Sequence, residues 1–299
     1  MRKLLYIVNP ISGTSNKPVL KEIIKKQTTA AGVDFKIFPS VADGNYSFLD
    51  QAIVQNKFTD IVIAGGDGTV NAAINSLRKH HLPFGIIPSG SGNGLALCAG
   101  IPKLPAAAIN CILTGKQKWV DAFLINERFA CMLCGLGFDA QVAHDFAKGT
   151  KRGLMSYIQK VMKQFFVSST YPFIVTLDNT KLDVEAYFIS IANSNQFGNN
   201  FTIAPQASLT DGLLDIVIMT KQSKINVLIQ AIRQVAGFNQ LKKIEAIHDK
   251  MSVMYFQTKK INISNPQQAP LHIDGEPAES AENLEIKILP QSFQLIFPY

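Results

Sequence analysis

The sequence predicts an α/β domain on a parallel sheet, followed by a β-rich domain. Three observations carry that prediction. Short apolar strands alternate with helical segments over the first 120 residues, strands dominate afterwards, and three Gly-, Ser- and Asn-rich turns each follow a strand of the first part. At 299 residues the chain is long for one domain and comfortable for two. The expected division is 1–120 and 121–299, with the last strand free to return to the first domain.

Residues 3–8 form a short apolar strand. Residues 18–31 follow at helical spacing, with Leu20, Ile23, Ile24 and Ala31 on one face. Pro18 suits a first turn, where a missing N–H leaves nothing unpaired. Residues 33–38 read as a strand, 46–55 as a helix, 60–64 as a buried strand, 70–78 as a helix and 84–87 as a strand. Helices between consecutive strands are crossovers, which makes the pairing parallel and places helices on both faces. Near residue 120 the texture changes. Residues 120–125 and 128–134 read as a hairpin about Asn126-Glu127. Helices near 140–147 and 152–167 come next. Strands are then expected at 172–178, 184–192, 213–219, 251–257, 259–264, 270–274, 284–289 and 293–297, with one helix at 225–235 among them.

Composition excludes several classes. Hydrophobic residues at 47% and charged residues at 17% are too apolar a mixture for a disordered chain. The longest nearly uninterrupted apolar run, residues 129–138, is about half of what a membrane helix needs. The opening MRKLLYIVNP reads as a strand and not a signal peptide, so a soluble cytoplasmic protein is expected. Cys131 and Cys134 have CxxC spacing, but no second pair accompanies them and the stretch is apolar, so they read as buried strand cysteines. The five His show no ligand spacing. Lys and Arg number 29 against 22 acids, a net +7 that suits an anionic partner without choosing among nucleotide, lipid surface and nucleic acid.

The chemistry concentrates in the turns. Strand 61–64 runs into Gly65-Gly66-Asp67-Gly68-Thr69 and then a helix. Glycines let a phosphate approach the backbone, and a helix N-terminus offers N–H groups with a partial positive charge. Asp67 repels a phosphate, so its sensible task is to hold Mg²⁺ against one. Asn9-Pro10-Ile11-Ser12-Gly13 and Pro88-Ser89-Gly90-Ser91-Gly92-Asn93-Gly94 follow other strands of the same sheet. Loops at strand carboxyl ends share one edge, where ligands bind. Together they make a nucleotide cradle that is neither a P-loop nor a dinucleotide fingerprint. Asp274-Gly275-Glu276 holds two carboxylates on one face if extended, and a β-turn reading stays open for it and for Asp211-Gly212.

These segments resemble the diacylglycerol kinase catalytic-domain family of soluble bacterial lipid kinases, with sphingosine, ceramide and, more distantly, NAD kinases as relatives. The resemblance rests on NPISG at 9–13, GGDGTVN at 65–71, IIPSGSGNGLA at 86–96, GLGFDA at 135–140, IAPQASLTDGLLDI at 203–216 and IDGEP at 273–277. It implies a Rossmann-like N-terminal domain and a C-terminal β-sandwich, with ATP in the cleft. Asn9, Gly65, Gly66, Asp67, Gly68, Thr69, Val70, Asn71 and Ser91 would line ATP, with Ser40 a looser match. Asp67 would serve Mg²⁺–ATP, and Asp274 and Glu276 would sit at the reaction centre, Glu276 as proton acceptor. A structural Mg²⁺ would be held by the Asp211 carboxylate and the carbonyls of Ser208 and Leu213, with Asp121 connecting that site to the cleft.

The activity implied is ATP-dependent phosphorylation of a lipid hydroxyl, with diacylglycerol favoured, at a membrane surface and without nucleic acid. A homodimer stays open. So do a sphingoid-base or ceramide acceptor, an NAD-kinase-like small-molecule kinase, and a silent nucleotide- or lipid-binding regulator. Gly94 is a departure: bacterial members usually carry Asp there, and its absence suits a broader choice of acceptor. Residues 152–167, with Leu154, Ile158, Val161 and Phe165 in a stripe beside Lys151, Arg152, Lys160 and Lys163, read as core first and as a membrane-facing element second.

Overall fold

The computed structural model describes residues 2–11, 17–141, 165, 168–177, 180–195, 203–235, 238–248 and 251–299. β1 (Lys3–Val8) lies between β2 (Asp34–Pro39) and β3 (Asp60–Gly65), and β4 (Phe84–Pro88) flanks β3, all parallel in the order 2-1-3-4. Leu4 to Val8 and all of β3 are buried, as strands covered by helices on both faces must be. The helices of this half are α1 (Lys17–Ala30), α2 (Asp50–Asn56), α3 (Asp67–Leu77), α4 (Gly94–Cys98) and α5 (Pro105–Thr114). α3 begins three residues earlier than expected because Gly66, in extended conformation, is its N-cap. The winding reverses between β1 and β3, so the loops after these strands flank a crevice.

The chain then turns antiparallel. β5 (Lys116–Ile125) and β6 (Arg128–Ala130) form the expected hairpin. The expected strand 128–134 is split: residues 131 and 132 leave the ladder, and β7 (Leu133–Gly137) joins β9 (Thr180–Ala192). β8 (Tyr171–Leu177), β10 (Leu214–Thr220), β11 (Val253–Thr258), β12 (Lys260–Ser264), β13 (Leu271–Ile273), β14 (Glu276–Ala278) and β15 (Asn283–Phe297) complete it, with α6 (Lys224–Val235) between β10 and β11. The expected helices at 140–147 and 152–167 lie almost wholly outside the described residues.

Period-2 alternation builds two cores. Ile189, Ile191, Ile216, Ile218, Met254 and Phe256 face one cluster, whereas Phe188, Val217, Met219 and Tyr255 face the cluster shared with the N-terminal sheet. The architecture is therefore a parallel α/β sheet joined to a β-sandwich. The two expected strands at 284–289 and 293–297 are one, β15, irregular between Leu289 and Phe293. It pairs with β5 along both its halves, with β12 through its first half, and with β4 at Leu295↔Phe84.

Asp121 holds that irregularity in place. Its buried carboxylate accepts the amide of Gln291 at 2.7 Å on one oxygen and of Gly212 at 2.7 Å on the other. Hydrogen bonds to a charged acceptor contribute roughly 1.5–3 kcal/mol each. Since both amides belong to partly exposed residues, Asp121→Ala is expected to lower the unfolding free energy by about 2–4 kcal/mol in urea titration. A loss below about 0.5 kcal/mol would show that water replaces the carboxylate without penalty.

Candidate active site

Two glycine loops meet over the ends of β3 and β4. A Cβ on Gly90 would collide with the Gly66 backbone, so the loops pack main chain on main chain. Sequence reasoning assigned these glycines to phosphate access; their closest requirement is each other. Asn93, in the left-handed region at φ 56°, closes the second loop by accepting the Gly90 amide and donating to the Gly90 carbonyl, both at 2.8 Å. Asp67 reaches across and accepts the amides of Asn93, Gly94 and Leu95, capping α4 and not its own helix. A Cβ on Gly92 would stand 2.8 Å from Asp67 Oδ2. Burial, and next the nearby charge of Asp274, push the Asp67 carboxyl up to about 6, against those three amides.

The remaining cradle residues divide. Asn9 follows β1, donates its side-chain amide to Thr69 Oγ1 at 2.7 Å and accepts the Ile11 amide at 2.9 Å, so the first loop is tied to the GGDGT turn. Ser40 lies just beyond β2, its amide on the Val8 carbonyl at 3.0 Å and its side chain hydrogen-bonded to Tyr46. Ser91 is exposed at the loop tip. Two of the expected cradle side chains are engaged elsewhere. The Val70 side chain is 3% exposed and belongs to the core, leaving only its backbone for a nucleotide. Asn71 directs its side-chain amide to Asp274 Oδ2 at 2.5 Å and to the Phe129 carbonyl at 3.3 Å, so it joins the two halves of the site.

IDGEP is a hairpin, not an extended run. Ile273 pairs with Glu276, and Asp274 (φ 49°) and Gly275 (φ 84°) form the two-residue turn that demands positive φ at both positions. The turn leaves the two carboxylates in different surroundings, one buried and one exposed. Asp274 is 5% exposed; Oδ1 accepts the Met132 and Leu133 amides at 3.0 and 2.9 Å, and Oδ2 accepts the Cys131 amide at 3.0 Å, the Cys131 thiol at 3.4 Å and Asn71. A carboxylate so fully occupied anchors structure and has no lone pair for an acceptor proton, which leaves that task to Glu276. Glu276 is exposed and overhangs the first turn of α3, its Oε1 3.3 Å from where a Gly68 Cβ would stand.

Sequence reasoning missed the groups behind that hairpin. His272 is fully buried; its Nδ1 accepts the Gly275 amide at 3.3 Å, which leaves the proton on Nε2, 3.5 Å from Asp139 Oδ2. Gly135 lies between them, and a Cβ there would stand 2.6 Å from His272 Nε2. Asn193 is also fully buried and donates to the carbonyls of Asp121 at 2.8 Å and Cys131 at 3.1 Å. A polar residue directly after an apolar strand was the one available signal. Cys131 and Cys134 are buried free thiols, their acidity suppressed first by burial and then by Asp274.

The Asp211 turn lies apart from the cradle. Asp211 accepts the Leu213 amide at 3.0 Å, and Gly212 is at φ 71°. Ser208 Oγ accepts the Thr210 amide at 3.3 Å. Burial, and the charge of Asp121, raise the Asp211 carboxyl above its ordinary range despite the Leu213 bond. Asp121 and Asn193 bridge this turn to Cys131 and hence to Asp274. Among the described residues no three His, Cys, Asp or Glu side chains gather to hold a metal. A cation here would take single carboxylates, carbonyls and waters, a donor set that fits Mg²⁺.

Residues 3–125 match the diacylglycerol kinase catalytic domain, and residues 133–297 match the YegS C-terminal NAD kinase beta sandwich-like domain. The chain belongs to the diacylglycerol kinase catalytic-domain family. A probable YegS-like lipid kinase of Shewanella frigidimarina is 25% identical over 95% of this chain and 90% of its own length. A diacylglycerol kinase of Staphylococcus carnosus is 26% identical over 92% of this chain and 89% of its own. In fold, a putative diacylglycerol kinase from Bacillus anthracis superposes with a TM-score of 0.78 at 23% identity, covering 99% of this chain and 97% of that one. The family is one of lipid kinases, and kinase membership carries ATP as the phosphoryl donor. No helix among the described residues is long and apolar enough to cross a membrane.

Asp67 makes the site's electrostatics measurable. The folded chain holds the Asp67 proton up to about pH 6. The unfolded chain releases it near pH 4. Folding therefore takes up a proton in that window, and stability falls as pH rises through it. Asp67→Asn cannot titrate and is expected to flatten that part of the stability–pH curve. Equal slopes for both proteins between about pH 4 and 6 would show an unperturbed carboxyl.

Proposed function

We propose that the protein is an ATP-dependent lipid kinase that transfers the γ-phosphoryl group to a lipid hydroxyl, with diacylglycerol as acceptor and phosphatidic acid as product. The observation that carries the reading is the exposed Glu276 carboxylate over the first turn of α3, beside a fully occupied Asp274. The phosphates would lie on the GGDGT turn, where the N–H groups of the α3 terminus point. As the acceptor oxygen bonds to the γ-phosphorus and the bond to the β–γ bridging oxygen breaks, the hydroxyl proton passes to Glu276 and ADP leaves. General base assistance of this type contributes about 10²–10⁴-fold.

Mg²⁺ would be held by Asp67 at the cradle and by Asp211 with the Ser208 and Leu213 carbonyls at the second turn. When bound, it supplies positive charge against the phosphate oxygens. The net +7 charge supports peripheral work at an anionic membrane from the cytoplasm. Gly94 is buried with its amide on Asp67, which ties position 94 to the phosphate loops.

The test is incubation with γ-labelled ATP and, separately, diacylglycerol, monoacylglycerol, a sphingoid base and ceramide. Label in the organic phase, identified by mass as phosphatidic acid, is the expected result. Label only in the aqueous phase, or none, would overturn the reading. The two carboxylates of IDGEP should then part company. Glu276→Gln is expected to lower kcat by about 10²–10⁴-fold with melting temperature and ATP affinity kept. Asp274→Asn turns an NH₂ group toward existing donors and is expected to lower melting temperature and activity together. Identical behaviour of the two variants would remove the division of roles. After chelation, Mg²⁺ alone should raise the melting temperature of wild type and leave Asp211→Ala unmoved, since a ligand of the native state stabilises by mass action. A wild type indifferent to Mg²⁺ would exclude the second cation.

A further inference from the structure

α6 is amphipathic with its apolar face turned outward. At about 100° per residue, Ile225, Ile229 and Ile232 fall within a narrow stripe. They are 70%, 49% and 61% exposed, and Phe238 beyond the helix is 69% exposed. The opposite side carries Val227 and Gln234, both buried, and Gln234 donates to the Ile203 carbonyl at 2.9 Å. A helix folded only for stability would bury its isoleucines and expose its glutamine. Along this stretch of sequence the charge is one-signed. From Ile216 to Ile244 there is no Asp or Glu, and the cations are Lys221, Lys224, Arg233, Lys242 and Lys243. Lys221 pairs with Glu185, and Lys224 is held by the carbonyls of Phe165 and Ser168. Arg233, Lys242 and Lys243 are exposed and have no ion-pair partner among the described residues.

We propose that the outer face of α6, with Phe238, is the surface that docks on an anionic bilayer, with Arg233 of that helix and the exposed Lys242 and Lys243 of the segment that follows it as the cations available to lipid phosphates. Exposed apolar side chains flanked by basic ones, without an acid among them, are what an interfacial helix uses: the chains enter the headgroup boundary and the cations meet lipid phosphates. A second copy of the chain fits less well, because a two-fold contact sets these cations against their own mates. The proposal rests on the reading that the acceptor is a lipid.

The test is flotation with phosphatidylcholine vesicles, with and without phosphatidylglycerol, scored separately from phosphorylation. Wild type is expected to float with the anionic vesicles, less so as salt is raised. Ile229→Ser/Ile232→Ser should weaken binding about 10-fold or more at unchanged melting temperature. Each surface cation is worth about fivefold near an anionic surface, so Arg233→Gln/Lys242→Gln/Lys243→Gln should weaken it roughly 100-fold. Phe238→Trp in a Trp119→Phe background gives a second readout, a blue-shifted emission on anionic vesicles only. The serine variant should phosphorylate a short-chain, water-soluble diacylglycerol at the wild-type rate. A serine variant that floats like wild type overturns the proposal, as does an indole emission from the Phe238→Trp protein that vesicles do not move. Conversion of a wild-type dimer to monomer by the serine changes, with vesicle binding kept, overturns it in favour of a second copy. Wild type that floats but phosphorylates no lipid supports this surface and removes the lipid-kinase reading; phosphorylation without flotation does the reverse.

Discussion

The burial of the Asp274 carboxylate is the constraint on which the cleft depends. An ionised carboxyl taken out of water is costly by several kcal/mol unless its lone pairs are filled. Here they are filled from three sources: the amides of residues 131–133, the Cys131 thiol and the Asn71 side chain. Those amides are available because β6 ends at Ala130 and β7 starts only at Leu133. Asn71 belongs to α3, so a single carboxylate fixes the GGDGT helix, the β6–β7 break and the β13–β14 hairpin to one another. Glu276 inherits its position from that fixation, since it is the first residue after the turn.

Asp67 sits in the same negative neighbourhood without the same number of donors, and it bears the penalty: burial and Asp274 together push its carboxyl up to about 6. Three amides from the start of α4 keep it from rising further. The arrangement stabilises the contact between the two glycine loops at the expense of a carboxylate that favours a positive neighbour. A polyphosphate approaching this pocket meets like charge, so the proposed nucleotide is best received together with its cation. On the proposed reading the same residue is both a structural tie between the loops and the point where a divalent ion would offset the accumulated charge.

Much of this was legible in the sequence where the relevant physics is local. β1, β3 and β4 are covered on both faces, which writes them as apolar runs, and the Asp-Gly pair between alternating residues marks a two-residue hairpin turn. What was not legible depends on contacts between distant segments. The run from Phe129 to Phe138 is apolar throughout, so nothing in it shows where one ladder ends and another begins. The two carboxylates of IDGEP have equal claims as a base until the turn buries one and exposes the other. His272 carries no motif; only the pairing of β13 with β7, which sets it opposite Gly135, brings it to Asp139. α4 is too short for periodicity, whereas α5, with Pro105 in its first turn and an apolar face, was readable and passed over.

The path from the outer surface to the cleft is continuous, and this bears on how a lipid kinase could use both. Gln234 on the inner face of α6 grips the Ile203 carbonyl, at the start of the segment that ends in the Asp211 turn. Tyr255 accepts the Gln206 amide and donates to buried Asp215, pinning that segment to β10 and β11. Gly212 then meets Asp121, whose carbonyl meets Asn193, whose side chain meets the Cys131 carbonyl beside Asp274. The links are short hydrogen bonds, most of them at buried residues such as Gln234, Tyr255, Asp215, Asp121 and Asn193, which argues for rigid placement and not for a transmitted movement. On the proposed reading, a face that settles into a bilayer through α6 would hold the Glu276 hairpin at a fixed attitude to that plane. The acceptor's hydroxyl lies at the headgroup level, so a fixed attitude removes much of the orientational freedom that otherwise opposes transfer.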